Sequence, residues 1–372
     1  MALNQVGLER LNTATTKKIG KRKNIIINGD FRVAQRGTSS TSNGYQTVDR
    51  FLIFYDNTDE APTQQQISLD SSDTGPYETG FRKAYKITNG NQTGGAGTSD
   101  VIVFSTKLEA QDIATSGWNY TSSSSFITLS FWVKSSVAQT FYGQLVTDDG
   151  TKQNYPFETG SLTADTWTKV TKTIPGNSNL TFNNDTGEGM EMIFTLFRGT
   201  DTTGSVSLNA WAANNNSVRM PNNTSTWYTT NNATFEITGI QLEVGSVATD
   251  FEHRSFGEEL ALCQRYFFNI TGDNNQKTGV LGYANSSSNF RGVVYFPNVM
   301  RANPTFTGSA TAAVIDSNDD SSSFDVNTMS SGAIPQLFQS IVEANPGGMT
   351  AGECGQVEFR ANSGFMNFSA EL

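Results

Sequence analysis

The chain has 372 residues, of which 36 % are hydrophobic and only 16 % charged, with a formal net charge of −10. Charged residues normally make up about 25 % of a globular protein, so the polarity here is mostly uncharged, while 25 Phe, 11 Tyr and 5 Trp argue against disorder. The acidic balance argues against nucleic acid as main partner, and one His with two Cys is too little for a Cys-based zinc site or a disulfide scaffold.

Residues 1–23 gather Arg10, Lys17, Lys18, Lys21, Arg22 and Lys23 against Glu9 alone. Such a basic leader on an acidic body suits docking to an acidic surface, or else it is a solvated end. It lacks the apolar run of a secretory signal, and no stretch approaches the ~20 apolar residues of a membrane span. Assembly in a reducing cytoplasm and no membrane insertion are therefore expected.

From Asn24 the apolar period becomes two, predicting strands at 48–55, 82–88, 101–107, 126–134, 140–147, 166–174, 189–197 and 233–244. In FITLSFWVK (126–134), Ile127, Leu129, Phe131 and Val133 share one face. Trp132 lies on the other, towards water, a ligand or a sister chain. Turn clusters such as DDG, PGN and ANNNS separate these runs, the pattern of an antiparallel jelly-roll or β-sandwich. Within ATFEITGIQLEV the phase slips at Thr238-Gly239, which predicts a β-bulge.

The segment 255–267 predicts a helix. Ser255 and Glu258 form a capping box, and Phe256, Leu260, Cys263 and Phe267 recur at helical spacing. Cys263 reads as a small buried hydrophobe. Strand-like pieces return at 278–284, 290–297, 337–343, 355–360 and 364–371. The expected organisation is a basic arm (1–23), a jelly-roll β-sandwich (24–254), a linker helix (255–267) and a smaller C-terminal β-sandwich domain (268–372).

Chemistry is sparse. His253 has no Ser, Cys or second His beside it, and no nucleophile elbow, phosphate loop or HExxH pattern occurs. The glycine-rich 90–100 lacks the Lys-Ser/Thr ending of a phosphate cradle. The carboxylate pairs Asp148-Asp149, Glu258-Glu259 and Asp319-Asp320 are adjacent in sequence, so they tend to point apart, although a glycosidase needs only two carboxylates that meet in space. Trp118, Tyr120, Trp211, Trp227 and Tyr228 stand in Asn-, Ser- and Thr-rich contexts. They are candidate carbohydrate platforms, stacking on sugar C–H faces, with loop anchoring or subunit packing as the alternative.

Two stretches carry a resemblance. NIIINGDFRVAQRGTS with the VDRF that follows (24–51) resembles the opening of a group of phage tail-fibre and virion-associated proteins. FEITGIQLEVGSVATDFEHRSFGEELALCQRYF (235–267) resembles that group's later block, and NVMRANPTF (298–306) and SAEL (369–372) fit its C-terminal domain. The resemblance implies a non-enzymatic virion structural protein, a tail-fibre or adhesin subunit. It would be a homotrimer joined to other virion proteins through Lys17, Lys18, Lys21, Arg22 and Lys23, and it would contact a host cell-surface glycan. A capsid fibre or decoration protein, a carbohydrate-binding module and a polysaccharide depolymerase are the alternatives. The NGDF opening is also similar to jelly-roll carbohydrate-binding modules, in which calcium often joins the first and last strands. Asp30 would be its ligand here, while the acidic pair of the last strand reads Thr238-Gly239. No other cofactor is implied.

Overall fold

A computed structural model describes residues 22–272, 276–309, 313–317, 323–326, 328–331, 337–359 and 364–372. Lys17, Lys18, Lys21 and the Asp319-Asp320 pair lie outside the described residues. The first half builds two six-stranded sheets whose strands all pair antiparallel. One runs β1 (Ser39–Ser40), β3 (Thr63–Ser68), β4 (Lys83–Thr88), β12 (Thr234–Val244), β6 (Phe126–Ser135), β9 (Thr168–Pro175). The other runs β11 (Ala212–Ala213), β8 (Gln153–Ser161), β7 (Thr140–Thr147), β10 (Glu188–Arg198), β5 (Val101–Glu109), β2 (Leu52–Asp56).

The alternation explains the layering. Phe131 and Phe235 of the first sheet and Phe104, Phe157 and Phe194 of the second all turn into one core. Phe104 stacks on Phe194 at 4.9 Å, and Phe131 meets Phe194 edge-on at 5.2 Å. Each such buried side chain contributes about 1.5–3 kcal/mol. The fold is thus the β-sandwich that the periodicity predicts. The slip in β12 is also present: its register against β6 shifts between Thr238 and Gln241, with Gly239 at φ 67°.

Two strands lack the apolar signature. β3 (TQQQIS) turns Gln64 inward, where its Oε1 accepts from Thr47 Oγ1 at 2.9 Å and the Tyr85 hydroxyl at 3.0 Å. β8 contains Pro156, tolerated because β11 pairs only with Gln153 and Asn154 and leaves an edge beyond them. The two-residue period expected from Asn24 is not kept at its start, where the chain is irregular. Asn28 and Phe31 adopt positive φ (59° and 56°), and the Asn28 amide bonds both Val33 and the Asp49 carbonyl. Ile25, Ile26 and Ile27 are consequently all buried rather than alternating.

Three helices are described: α1 (Ala110–Ala114), α2 (Thr226–Thr229) and α3 (Phe256–Gln264). The capping box of α3 is formed, with Glu258 N donating to Ser255 Oγ at 3.3 Å and Ser255 N to Glu258 Oε2 at 2.8 Å. Cys263 is buried against Ile27, Val33 and Tyr266. The helix stops at Gln264, so Phe267 opens a strand, and Phe256 in the first turn is exposed. Both depart from the expected helical face.

The second half has a three-stranded sheet, β13 (Phe267–Gly272), β22 (Gly364–Ser369), β16 (Thr305–Gly308). A seven-stranded sheet runs β18 (Ser323–Asp325), β17 (Ala313–Ser317), β21 (Cys354–Phe359), β14 (Gln276–Ser286), β15 (Asn289–Tyr295), β20 (Gln339–Ala344), β19 (Met329–Ser331). Phe290, Val294, Phe359 and Phe368 share their core.

A buried ionic junction joins the halves. Arg50, 2 % exposed, pairs with Glu371, donates to the Lys107 carbonyl at 2.5 Å and lies 3.4 Å above the Tyr266 ring. Arg36 holds the other Glu371 oxygen at 3.1 Å. Arg265 forks onto Glu109 at 2.7 and 2.8 Å, and the Tyr266 hydroxyl joins it at 2.5 Å.

Candidate functional site

The bulge in β12 and the outward residues of β6 prepare a cleft on the outer face of the first sheet. Trp132 projects there between Thr238 of β12 and Lys169 of β9, its cross-strand partners. Gly239 has no side chain to obstruct the floor: a Cβ there would stand 2.5 Å from the Phe81 ring. One lip is the chain 75–81. It can lie against Trp132 because Gly75, at φ 94°, presents no Cβ to the indole. The other lip, 249–253, is held from beneath. Thr249 donates to both Glu243 oxygens at 2.7 Å, and Glu252 N donates to Gln241 Oε1 at 2.8 Å.

The cleft between the lips measures about 450 Å³. Phe81, Phe251 and His253 form a ring cluster with centroids 4.9–5.1 Å apart, and the His253 ring nitrogen Nε2 lies 3.0 Å from the Thr79 carbonyl. Ser130, Thr249, Lys169, Asp250 and Glu78 supply polar edges. Trp167 buttresses the same apolar patch and donates to Asp73 Oδ1 at 2.8 Å. Lys134 bridges Asp73 (3.2 Å) and Glu236 (2.8 Å) above the Trp167 ring. Burial pushes the Asp73 carboxyl up, but hydrogen bonds from Trp167 and Lys134 outweigh it and hold the group below its usual range. Ring faces beside hydroxyls and charges suit a ligand with one apolar and one hydrogen-bonding side.

The five aromatics singled out from the sequence are elsewhere. Trp118, Trp227 and Tyr228 are core residues, at 3 %, 0 % and 1 % exposure, and a ring with no open face cannot stack on a sugar. Trp227 on α2 donates to the Thr234 carbonyl at 3.1 Å, and Tyr228 stacks on Phe197 at 4.2 Å with its hydroxyl on Asp100. Trp118 donates to the Ser125 carbonyl at 3.3 Å. Tyr120 and Trp211 are half-buried, one edge-on to Phe182 at 4.9 Å, the other against Tyr155 and bonded to the Pro175 carbonyl. All five anchor loops. Trp132, expected to face water, a ligand or a sister chain, lines the cleft. His253, which has no Ser, Cys or second His beside it in sequence, shares its wall.

At the expected calcium position Asp30 has one oxygen engaged and the other, Oδ1, buried without a hydrogen-bond partner among the described residues. Arg32 Nε donates to its Oδ2 at 2.5 Å, and the position expected to complete the site is the Thr238-Gly239 bulge, without a carboxylate. No cluster of three His, Cys, Asp or Glu suited to a metal occurs among the described residues. Arg22 pairs with Asp112 at 3.3 Å, while Lys23 bonds Glu252 through its backbone and the Asp250 carbonyl through its side chain. These two cations hold residues 22 and 23 against the body.

No family model matches the chain, and no curated protein matches it. Among solved structures, the bacteriophage CBA120 tailspike protein 4 enzymatically active domain is similar at 8 % identity over 60 % of this chain, with a TM-score of 0.31. The chain spans only 21 % of that structure. A CBM4 structure is similar at 13 % identity, covering 59 % of this chain and 98 % of its own (TM-score 0.29). A family 11 carbohydrate-binding module from Clostridium thermocellum is similar at 11 % identity, covering 57 % and 98 % (TM-score 0.26). At these identities and scores none of them says what this chain binds.

Proposed function

We propose that the chain is a non-enzymatic subunit of a phage fibre or adhesin, rooted on the particle by its basic leader, which binds a host-surface glycan in the cleft at Trp132. The observation that carries the glycan reading is the cleft itself: Trp132, Phe251 and His253 beside Ser130, Thr249 and Asp250. Its acidic residues Glu78 and Asp250 are both exposed. A general acid for glycoside cleavage needs burial to raise its pKa, so binding without turnover is the better-supported activity.

The virion reading is supported by where the resembling motifs meet. Arg36 of QRGTS, Arg50 of VDRF, Tyr266 of the CQRYF block and Glu371 of SAEL form one junction. A homotrimer fits the seven-stranded sheet, which leaves Leu281, Tyr283 and Tyr295 exposed at 65 %, 50 % and 73 % on a face that sister chains would cover.

The test is titration of the full chain with a panel of bacterial surface polysaccharides, comparing wild type with Trp132→Ala. Loss of one stacking ring should weaken binding about tenfold, with no release of reducing ends. A variant that binds as wild type removes the glycan reading. Light scattering that returns a monomer removes the trimer, and absence from purified particles by antibody labelling removes the virion assignment.

A further inference from the structure

Beside the ionic junction lies a second cleft, of about 490 Å³, within the roughly 300–1,000 Å³ typical of small-ligand sites. Its floor is the outer face of the three-stranded sheet β13-β22-β16. Strand alternation sends Met366 and Phe368 into the core and leaves the intervening side chains outside in registered rows. Asn269, Asn367 and Thr307 form one row, and Ser369 and Thr305 belong to the next. The sandwich supplies the facing wall with Arg36 and Tyr45.

Three properties select the ligand class. The floor is paved with amides and hydroxyls, and Arg36, the only formal charge lining the cleft among the described residues, is already paired with Glu371 at 3.1 Å. The lining thus offers a charged ligand a single guanidinium whose counter-ion is already in place. Next, the side chains of Asn367, Thr307 and Ser369 line the cleft, each able to donate and accept, while Phe365 offers a half-buried ring in the same face. Finally, the Tyr45 hydroxyl and Arg36 Nη1 are buried without a hydrogen-bond partner among the described residues. Buried polar atoms of native proteins are almost always satisfied, by protein or water, so ordered water at these two groups would extend the polar lining of the cleft from beneath its wall.

We propose that this cleft is a second binding site, for an uncharged saccharide. Its hydroxyls exchange hydrogen bonds with the Asn367 amide and the Thr307 hydroxyl, and a C–H face of the sugar rests on Phe365. Because the sandwich forms one wall and the C-terminal strands the floor, an occupant braces the two halves against each other. The site shares no lining residue with the cleft at Trp132, so the two readings stand or fall separately.

The experiment is saturation-transfer NMR on the full chain with the methyl glycosides of glucose, galactose, mannose and N-acetylglucosamine, and with methyl glucuronide as the charged comparison. Transfer to at least one neutral glycoside is expected in wild type and in Trp132→Ala. The Asn367→Ala/Thr307→Ala double variant should bind about fivefold more weakly, the worth of one net hydrogen bond. Should that variant melt early, Asn367→Asp keeps the shape while removing the amide donors, and the same weakening is expected. Transfer that disappears in Trp132→Ala but survives the double variant assigns all binding to the first cleft and overturns the proposal. No transfer to any neutral glycoside, or transfer to the glucuronide alone, overturns it as well.

Discussion

The ionic junction and the cleft at Trp132 are built from similar parts and behave as opposites. Both combine aromatic rings with cations and carboxylates. At the junction the groups are closed off: Arg50 has almost no contact with water, and each Glu371 oxygen is held by an arginine. At the cleft Lys169, Asp250, Glu78 and His253 are exposed, and the Trp132 and Phe251 rings are only partly covered. Burial decides what each set of charges is worth. A buried pair loses much when one partner goes, because the other is left as an uncompensated charge, whereas exposed charges contribute about 0–1 kcal/mol and remain free to meet a ligand.

That contrast can be broken most forcefully at Glu371. Glu371→Ala strands Arg50 in the interior and should cost about 3–5 kcal/mol of stability, read as a lowered urea midpoint. A loss below about 1 kcal/mol would show that water reaches the junction. Asp49 sharpens the point through pH. It is wholly buried, and burial pushes its carboxyl up from 3.8 to about 6 despite Arg36 and the hydrogen bonds from Gln35. Its folded pKa thus exceeds its unfolded one, so the folded state binds the extra proton between pH 4 and 6. This group's cost is absent below about pH 4, grows through that window and is complete above it. Asp49→Asn should remove that slope, changing the difference in stability between pH 4 and pH 7 by about 2–3 kcal/mol relative to wild type. Parallel stability–pH curves for the two proteins would contradict the assignment. The smallest effect on stability belongs to the cleft. Trp132→Ala should lower it by only about 1–2 kcal/mol, in contrast to its effect on glycan binding, and a larger loss would make Trp132 a structural ring.

The sandwich was legible where side chains alternate strictly, as in Phe126–Ser135, and where glycine marks a bulge, as at Gly239. β3 was hidden because its inward residue is a glutamine whose partners, Thr47 and Tyr85, come from other segments. The cleft was hidden for a related reason. Trp132, Lys169, Phe81 and Phe251 are far apart in sequence, and only the sheet's pairing with its two lips brings them together. The misread rings fail differently. Polar neighbours around Trp227 and Trp118 mark loops, but a loop at the end of a sandwich can turn its largest ring inward and satisfy the indole N–H on a carbonyl.

The link between Arg50 and Glu371 spans 321 positions of sequence. At a translation rate of about 5–20 residues per second, a nascent sandwich waits roughly 15–60 s before the carboxylate that neutralises Arg50 emerges from the ribosome. During that interval Arg50 has no Glu371 to receive it, so the early sandwich is held below its final stability. The ionic link between the halves therefore forms only after the residues of the sandwich's own core have been synthesised.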